Sequence, residues 1–192
     1  ILISGYFSIK LWLSSLLKFA IVCSLFLLFH IFLRFVCFDE PLSLRNSVQV
    51  LMPISRNTAW FVKCYFMLML LSPILNRAFG SITKSQAWLM FASLLFINVY
   101  MGFIHRNPIN TDGYTLAQMV MMYFIGRMLN RFQVPNKILR CRWGYIYVML
   151  SLVLAFCICV CIYYSPMHAF RLLSYNNPLV IVSAVCFFNV FI

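Results

Sequence analysis

The sequence predicts an all-α fold, a polytopic integral membrane helix bundle with about six transmembrane helices in a single membrane domain, residues 1–192. Composition is the first reason, since 64% of the 192 residues are apolar and only 9% are charged. A soluble domain carries roughly 25% charged residues, which keep its surface in water. The second reason is the order of the residues, because long apolar runs follow one another with short gaps. Lipid is therefore the predicted solvent for most of the chain.

Each predicted span is an apolar run close to the length of about 20 residues that crosses the hydrocarbon core as a helix. Helices are predicted because the open edge of a sheet in lipid would leave backbone groups unpaired. Turn signals such as Asn107-Pro108 and Asp112-Gly113 separate the runs. In chain order the spans are residues 11–37, 58–75, 86–104, 115–129 and 144–164, and a last one starts after Pro178.

The distribution of lysine and arginine predicts which side of the membrane each connection occupies. The net charge of +12 comes from 15 Lys and Arg against 3 Asp and Glu, and the basic residues are concentrated in alternate connections. In membrane proteins the cytoplasmic loops carry the excess of Lys and Arg. We therefore expect residues 1–10, 76–85 and 130–143 to be cytoplasmic. The segments expected to face outward are 38–57, 105–114 and 165–178.

The acids and histidines all fall toward the predicted outer side, although they were not used to choose the orientation. The loop members are Asp39, Glu40, His105, Asp112 and His168, and His30 lies late in the first span. One interpretation is a polar cluster that binds or deprotonates a hydroxyl substrate. The other, which we favour, is that acids merely avoid the anionic inner surface of the membrane.

Neither the basic residues nor the cysteines indicate nucleic-acid binding or a metal site. No basic face alternates with base-stacking aromatics on a soluble surface, so no nucleic-acid partner is expected. The chain has eight cysteines, and Cys157 and Cys161 share a helix face. No histidine or carboxylate joins them at ligand spacing, so they are expected to pack as small apolar residues. No metal and no bound cofactor is predicted.

Polar residues inside the spans each need an explanation, because they are costly in lipid. Lys18 and Lys63 lie near helix ends, where their side chains can reach the interface. His30 either bonds to a neighbouring helix or lines a polar cavity, and Asn98 and Gln118 are expected to join helices. No nucleotide-binding or hydrolase motif is present. These residues by themselves indicate a membrane protein that catalyses or transports.

Four short segments, taken in order, stand out from the apolar background. They are Ile3-Ser4-Gly5-Tyr6-Phe7; Thr58-Ala59-Trp60-Phe61 with Tyr65 and Leu71-Ser72-Pro73-Ile74-Leu75-Asn76; Tyr123-Phe124-Ile125-Gly126-Arg127; and Tyr175-Asn176-Asn177-Pro178-Leu179-Val180. Together they resemble the acyltransferase 3 family of membrane acyltransferases, which modify bacterial surface glycans. The resemblance covers most of the chain, from its first residues to the last predicted span.

The resemblance implies an enzyme of the bacterial cytoplasmic membrane that transfers an acyl group, usually acetyl from acetyl-CoA, to a hydroxyl of a glycan or glycolipid. The basic inner loops would attract the polyanionic coenzyme. The family's catalytic histidine and arginine are expected in a helix that precedes the Ser4-Gly5 element. Both ends of the sequence are read as truncations, so the catalytic residues are unknown and the fragment is expected to be inactive alone.

The residues of this chain that match the family's segments are the candidates for substrate binding. Ser4 and Gly5 would allow the backbone to approach a ligand closely, and Trp60 and Tyr65 would stack on a sugar or on the adenine of the donor. Asn76 and His30 complete the set. The competing interpretation of these residues is aromatic anchoring at the interface and helix packing.

Two other classes of protein remain open. A transporter or flippase would carry charges deep along a path through the membrane, whereas the lysines here lie near the helix ends. A non-catalytic membrane assembly subunit would need no intact site. An arginine followed about three helical turns later by a histidine in a preceding helix would favour the enzyme.

Cysteine labelling tests the predicted orientation. On a cysteine-free background we expect Gln133→Cys to react with a membrane-impermeant maleimide only after the cells are opened, because its loop carries the basic residues. Asn110→Cys should react in intact cells. Labelling of position 133 from outside would reverse the topology.

Overall fold

The computed structural model describes the backbone of residues 1–38, 60–105, 112–132, 137–164 and 166–192. Regular structure within these residues is helical, and they contain no strand, which confirms the all-α prediction. Several sequence-based predictions lie outside the described residues, among them the acids Asp39 and Glu40 and the labelling positions 110 and 133. The orientation of the chain stays a prediction.

The helices begin and end close to the predicted spans. They are α1 (Leu2–Phe7), α2 (Leu13–Phe38), α3 (Trp60–Ser81), α4 (Lys84–Leu95), a π-helix (Phe96–Ile104), α5 (Leu116–Phe132), α6 (Lys137–Tyr164), α7 (Pro166–Leu172) and α8 (Pro178–Phe191). Two were not expected, because α1 and α7 lie in segments predicted to be connections. Both are short and have apolar residues at helical spacing.

The helices confirm the membrane character of the chain and correct the number of spans. Within the described residues, four helices are long and apolar enough to cross a membrane: Leu13–Cys37, Trp60–Ser81, Lys84–Ile104 and Arg142–Tyr164. The prediction of about six counted α5 and α8 as well. Helix α8, the start of the last predicted span, has 14 residues within the given sequence. Helix α5 has 17 residues and carries Gln118 and Arg127 among its apolar side chains.

Burial explains why α5 differs in composition from a lipid-facing span. Much of it is enclosed by protein, including Gln118, Met119, Met121, Tyr123, Phe124, Ile125, Gly126 and Met128. A helix whose neighbours are other helices can carry polar groups that bond to those neighbours. An apolar surface on every side is needed only where lipid is the neighbour.

The described residues form two compact units. The first, called unit 1, consists of Ile1–Ser8 and Ala78–Ile192, and the second, unit 2, of Ile9–Arg77. Both contain candidate spans, and the span Trp60–Ser81 runs across the boundary. The two units therefore do not correspond to a membrane part and a soluble part.

In unit 2 the proline inside α3 is accommodated by the serine before it. Pro73 has no N–H, so the carbonyl of Met69 loses its usual helical donor. The hydroxyl of Ser72, which is fully buried, donates to this carbonyl oxygen at 2.7 Å. The helix therefore continues through the Ser72-Pro73 step with its backbone oxygen satisfied.

In unit 1 the segment before residue 105 leaves the α-helical pattern. Nine residues, Phe96–Ile104, form a π-helix, and the N–H of His105 donates to the Tyr100 carbonyl at 3.0 Å. Longer π-helices are rare. Arg171 supports its end, because its Nε donates to Phe103 O at 3.2 Å and its Nη2 to Ile104 O at 2.9 Å. A basic side chain thus satisfies carbonyls at the negative end of a helix.

Helix α1 packs on α5 through two glycines. A Cβ placed on Gly5 would collide with the Tyr123 carbonyl, and one placed on Gly126 would collide with the Leu2 carbonyl and lie 2.8 Å from Tyr6 N. The two backbones therefore touch without side chains between them. Close approach through small residues is the usual way for helices to associate in lipid.

Alanine substitution of these glycines tests the contact. We expect Gly126→Ala to lower the free energy of unfolding by about 1–3 kcal/mol, because the new methyl group must displace backbone. Gly80→Ala is the matched control, since Gly80 is also helical and has no atom within 4 Å of an added Cβ. The control should be neutral or stabilising by up to about 1 kcal/mol. Thermal unfolding in detergent measures both, and equal effects would contradict the packing.

Candidate functional site

The first and third segments of the resemblance are in direct contact. Ser4 and Gly5 belong to α1, and Tyr123 and Gly126 belong to the buried face of α5. Tyr123 is 2% exposed, and its carbonyl oxygen lies where a Cβ on Gly5 would be, so the two backbones are in contact. Ser4 is half-buried beside this contact. Segments separated by more than a hundred residues in the sequence therefore form one surface.

An arginine extends this contact at the end of α1. Helix α1 ends at Ser8, which has a φ of 62°, a value that few residues other than glycine adopt. The Ser8 hydroxyl accepts a hydrogen bond from Nη1 of Arg127, which follows Gly126 on α5. A charge-assisted bond of this kind is stronger than a neutral one. The guanidinium of Arg127 thus fixes the turn that follows the Ser4-Gly5 element.

Phe79 is in contact with two arginines of α5. The guanidinium carbon of Arg127 is 5.3 Å from the centroid of the Phe79 ring, and that of Arg131 is 5.5 Å from it. Arg131 also donates from Nη1 to the Phe79 carbonyl at 2.6 Å. Cation–π contacts of partly buried groups contribute about 0.5–2 kcal/mol each. The guanidinium groups of Arg127 and Arg131 are therefore held beside Phe79, near the end of α5.

The fourth segment is joined to the opposite end of α5. Gln118 donates from Nε2 to the Tyr175 carbonyl at 2.6 Å, and the Tyr175 N–H donates to the Asp112 carbonyl at 3.1 Å. Asn177 accepts from Leu179 N at 2.9 Å and so caps α8, whose first residue is proline. Gln118 was expected to join helices, and its partner is instead the turn that precedes α8.

Asn98 is the other polar residue expected to join helices. It is fully buried, and its Nδ2 donates to Leu94 O at 2.8 Å within its own helix and to Ala117 O of α5 at 3.5 Å. The second bond is long, so most of the bonding is local. The residue nevertheless places the π-helix beside the start of α5.

The second segment lies in unit 2 and forms an aromatic cluster. The Tyr65 ring is 5.2 Å from Phe19 and stacks on Phe61 at 5.9 Å, and Trp60 meets Phe61 edge-on at 5.8 Å. Asn76 donates from Nδ2 to the carbonyl of Ile9 at 2.9 Å. Trp60 and Tyr65 are only half-buried, so part of each ring is available to a ligand.

His30 and the predicted outer polar cluster are placed only in part. His30 is exposed on α2, in unit 2, and no hydrogen bond of this imidazole is seen among the described residues. In unit 1 the exposed His105 lies with Nε2 3.2 Å from the Tyr100 hydroxyl. Asp39, Glu40 and the side chain of His168 lie outside the described residues. The cluster of acids and imidazoles therefore stays a prediction.

In the sequence, Arg127 was only the last residue of the third matched segment and had no role of its own, and the pairing of Gly126 with Gly5 was not predicted. A small residue followed by a cation inside a predicted span was the available signal, since small residues mark helix contacts. Within the described ranges, no group of three or more His, Cys, Asp or Glu could hold a metal ion.

No family model, no curated protein and no solved structure matches this chain. The resemblance to the acyltransferase 3 family therefore rests on the four sequence segments and on where the structure places them.

A double-mutant cycle tests the bond between Ser8 and Arg127. We expect Ser8→Ala and Arg127→Lys to couple by about 0.5–3 kcal/mol in the free energy of unfolding, because each removes the same bond. Ser8→Ala combined with Arg142→Lys is the control, since Arg142 is exposed on α6. The control pair should be additive within about 0.5 kcal/mol. Additivity in both pairs would mean that the bond contributes nothing.

Proposed function

We propose that this chain belongs to a membrane-embedded acyltransferase of the bacterial cytoplasmic membrane. It would transfer an acyl group, most simply acetyl, from acyl-CoA to a hydroxyl of a glycan or glycolipid. In the reaction the hydroxyl oxygen attacks the thioester carbonyl, the carbon–sulfur bond breaks, and the hydroxyl proton ends on the released thiol.

The observation that carries the proposal is that three of the four matched segments meet at one helix. The first segment packs on α5 through Gly5, the third is the buried face of α5 itself, and Gln118 of α5 binds the fourth. Chance matches in an apolar sequence would have no reason to meet. Their contact is what a site assembled from several parts of a family's sequence requires.

The second support is electrostatic. Four cations, Lys84, Arg127, Arg131 and Arg142, belong to the end of unit 1 that the basic loops predict to be cytoplasmic. A coenzyme A thioester carries several negative charges, and a surface of one sign raises the local concentration of such a substrate. The donor would then arrive from the cytoplasm.

The matched residues would bind and position substrates. The half-buried rings of Trp60 and Tyr65 offer stacking surfaces for a sugar or for adenine. Asn76 holds the carbonyl of Ile9, and the half-buried Ser4 and the exposed His30 are further binding candidates. Gly5 is buried against the Tyr123 carbonyl, so its close approach is to α5, which favours the helix-packing interpretation for this residue. Acyl transfer also needs a base for the hydroxyl and a donor for the oxyanion. The resemblance implies a histidine and an arginine for these roles.

Ester formation in cells tests the proposal. Bacteria that overproduce the protein from its natural start codon should accumulate base-labile acetyl esters on membrane or surface glycans, measured by release of acetate under mild alkali. We expect Trp60→Ala to lower this ester about fivefold or more, because a stacking surface is lost.

Trp12→Ala is the matched control, because Trp12 is 66% exposed and lies outside the four segments. It should leave the ester unchanged. No ester above the level of cells with an empty vector would overturn the enzyme and favour a transporter or an assembly subunit. An equal loss in both tryptophan variants would remove the binding role of Trp60.

A further inference from the structure

Unit 1 contains a cavity of about 550 Å³ between α4, α5, α6 and α8. This volume lies within the range of about 300–1,000 Å³ that is typical of pockets for organic ligands. Its deeper part is lined by aliphatic side chains such as Ile125, Leu129 and Ile181. Water in a protein interior needs two or more polar partners. The lining includes one amide, that of Asn189, whose Nδ2 donates to Val185 O at 2.9 Å, and is otherwise almost entirely apolar. The matching occupant is apolar.

One part of the cavity wall is aromatic. Trp88 of α4, Phe132 of α5 and Trp143 of α6 line it. Each lies within two turns of a helix end that the basic loops predict to be cytoplasmic, and the rings of Phe79 and Phe132 lie 6.4 Å apart where α3 ends. Tryptophan is enriched where membrane meets water. The aromatic part therefore marks the end of the cavity nearest the headgroups.

Three exposed cations accompany these aromatic residues. Lys84 is one helical turn before Trp88, on the same face of α4, and Arg142 directly precedes Trp143. The guanidinium carbon of Arg131 is 5.5 Å from the Phe132 ring centroid. The only acidic side chain among the described residues is that of Asp112, which lies beyond the opposite end of α5. No acidic side chain in the described part of the chain therefore lies at the same end as these cations.

We propose that this cavity binds an acyl chain of an anionic bilayer phospholipid, whose phosphate group lies beside Lys84, Arg131 and Arg142. Basic pockets between transmembrane helices on the cytoplasmic side are suited to anionic headgroups. The cavity opens beside Trp88 and Val182, whose side chains are 53% and 47% exposed. A lipid can therefore enter sideways from the bilayer, and no opening to water is needed.

Quenching of tryptophan fluorescence by brominated acyl chains tests this site on the full chain in detergent. Of the four tryptophans, Trp88 and Trp143 line the cavity, so Trp12→Phe and Trp60→Phe remove the others. Dilute brominated phosphatidylglycerol is compared with brominated phosphatidylcholine and with a bromoacyl-CoA. We expect the anionic phospholipid to quench at a concentration about tenfold lower than the zwitterionic one.

Two other outcomes overturn the proposal. Equal quenching by the two phospholipids would indicate general contact with lipid only. Stronger quenching by the bromoacyl-CoA than by phosphatidylglycerol would assign the cavity to an acyl donor. The quenching measurement needs neither an acceptor glycan nor acyl transfer. Its result therefore remains valid if the protein has no acyltransferase activity.

Charge variants test the headgroup part of the site. The pair Lys84→Gln and Arg142→Gln should weaken the response to phosphatidylglycerol about tenfold to thirtyfold and leave phosphatidylcholine unchanged. The pair Lys10→Gln and Arg77→Gln is the matched control, since these residues are also exposed and belong to predicted cytoplasmic segments. An equal effect of both pairs would show that only net charge matters, which contradicts a site.

A filling variant tests the chain part of the site. Val182→Phe places a ring in the cavity and should weaken quenching by both phospholipids several-fold. Val148→Phe is the control, because Val148 is 53% exposed on α6 and does not line the cavity. Unchanged quenching in Val182→Phe would overturn the proposal. If a variant fails to fold, the proposal is still tested by comparing quenching by phosphatidylglycerol and phosphatidylcholine in the protein without that substitution.

Discussion

The contact on which unit 1 depends is the one between the backbones of α1 and α5. Helix α1 has six residues, and a helix shorter than about 12 residues is marginal by itself. Lipid tails are as apolar as leucine, so burial alone does not drive α1 onto another helix. Gly5 and Gly126 solve this by letting main chain touch main chain. The Ser8–Arg127 bond then fixes where α1 ends.

Where the backbone of unit 1 departs from an α-helix, polar side chains satisfy it. Arg171 donates to the last carbonyls of the π-helix, Gln118 to the carbonyl of Tyr175, and Asn177 accepts the first N–H of α8. A buried backbone group that loses its helical partner must find another donor or acceptor within the protein. In unit 2 the hydroxyl of Ser72 acts in the same way on the carbonyl that Pro73 leaves unpaired. These residues therefore act as structure, whatever substrates the protein binds.

The sequence predicted the long apolar helices well, because a helix surrounded by hydrocarbon must be apolar along its length, and this is visible in the sequence. Helix Leu13–Phe38 begins and ends within two residues of the predicted 11–37. Prediction was poorer for elements shaped by neighbouring protein: α5 is a buried helix with polar contacts, and α1 was expected to be a connection. The π-helix was not predicted, because its residues are as apolar as those of an α-helical span. The arginine that donates to its last carbonyls, Arg171, is distant in sequence. For the candidate site, the sequence singled out Ser4 and Gly5, but it did not predict that their helix packs on α5.

The basic residues serve two physical purposes that sequence alone does not separate. In the sequence, Lys84 and Arg142 indicate only which side of the membrane is inside. In the structure the first shares a helix face with Trp88 and the second precedes Trp143, and both tryptophans line one cavity. Orientation requires only that positive charge lie somewhere in the connecting segments, whereas a headgroup site requires it beside an apolar recess. The phospholipid site proposed for unit 1 requires Lys84 and Arg142 to meet the second, stricter condition.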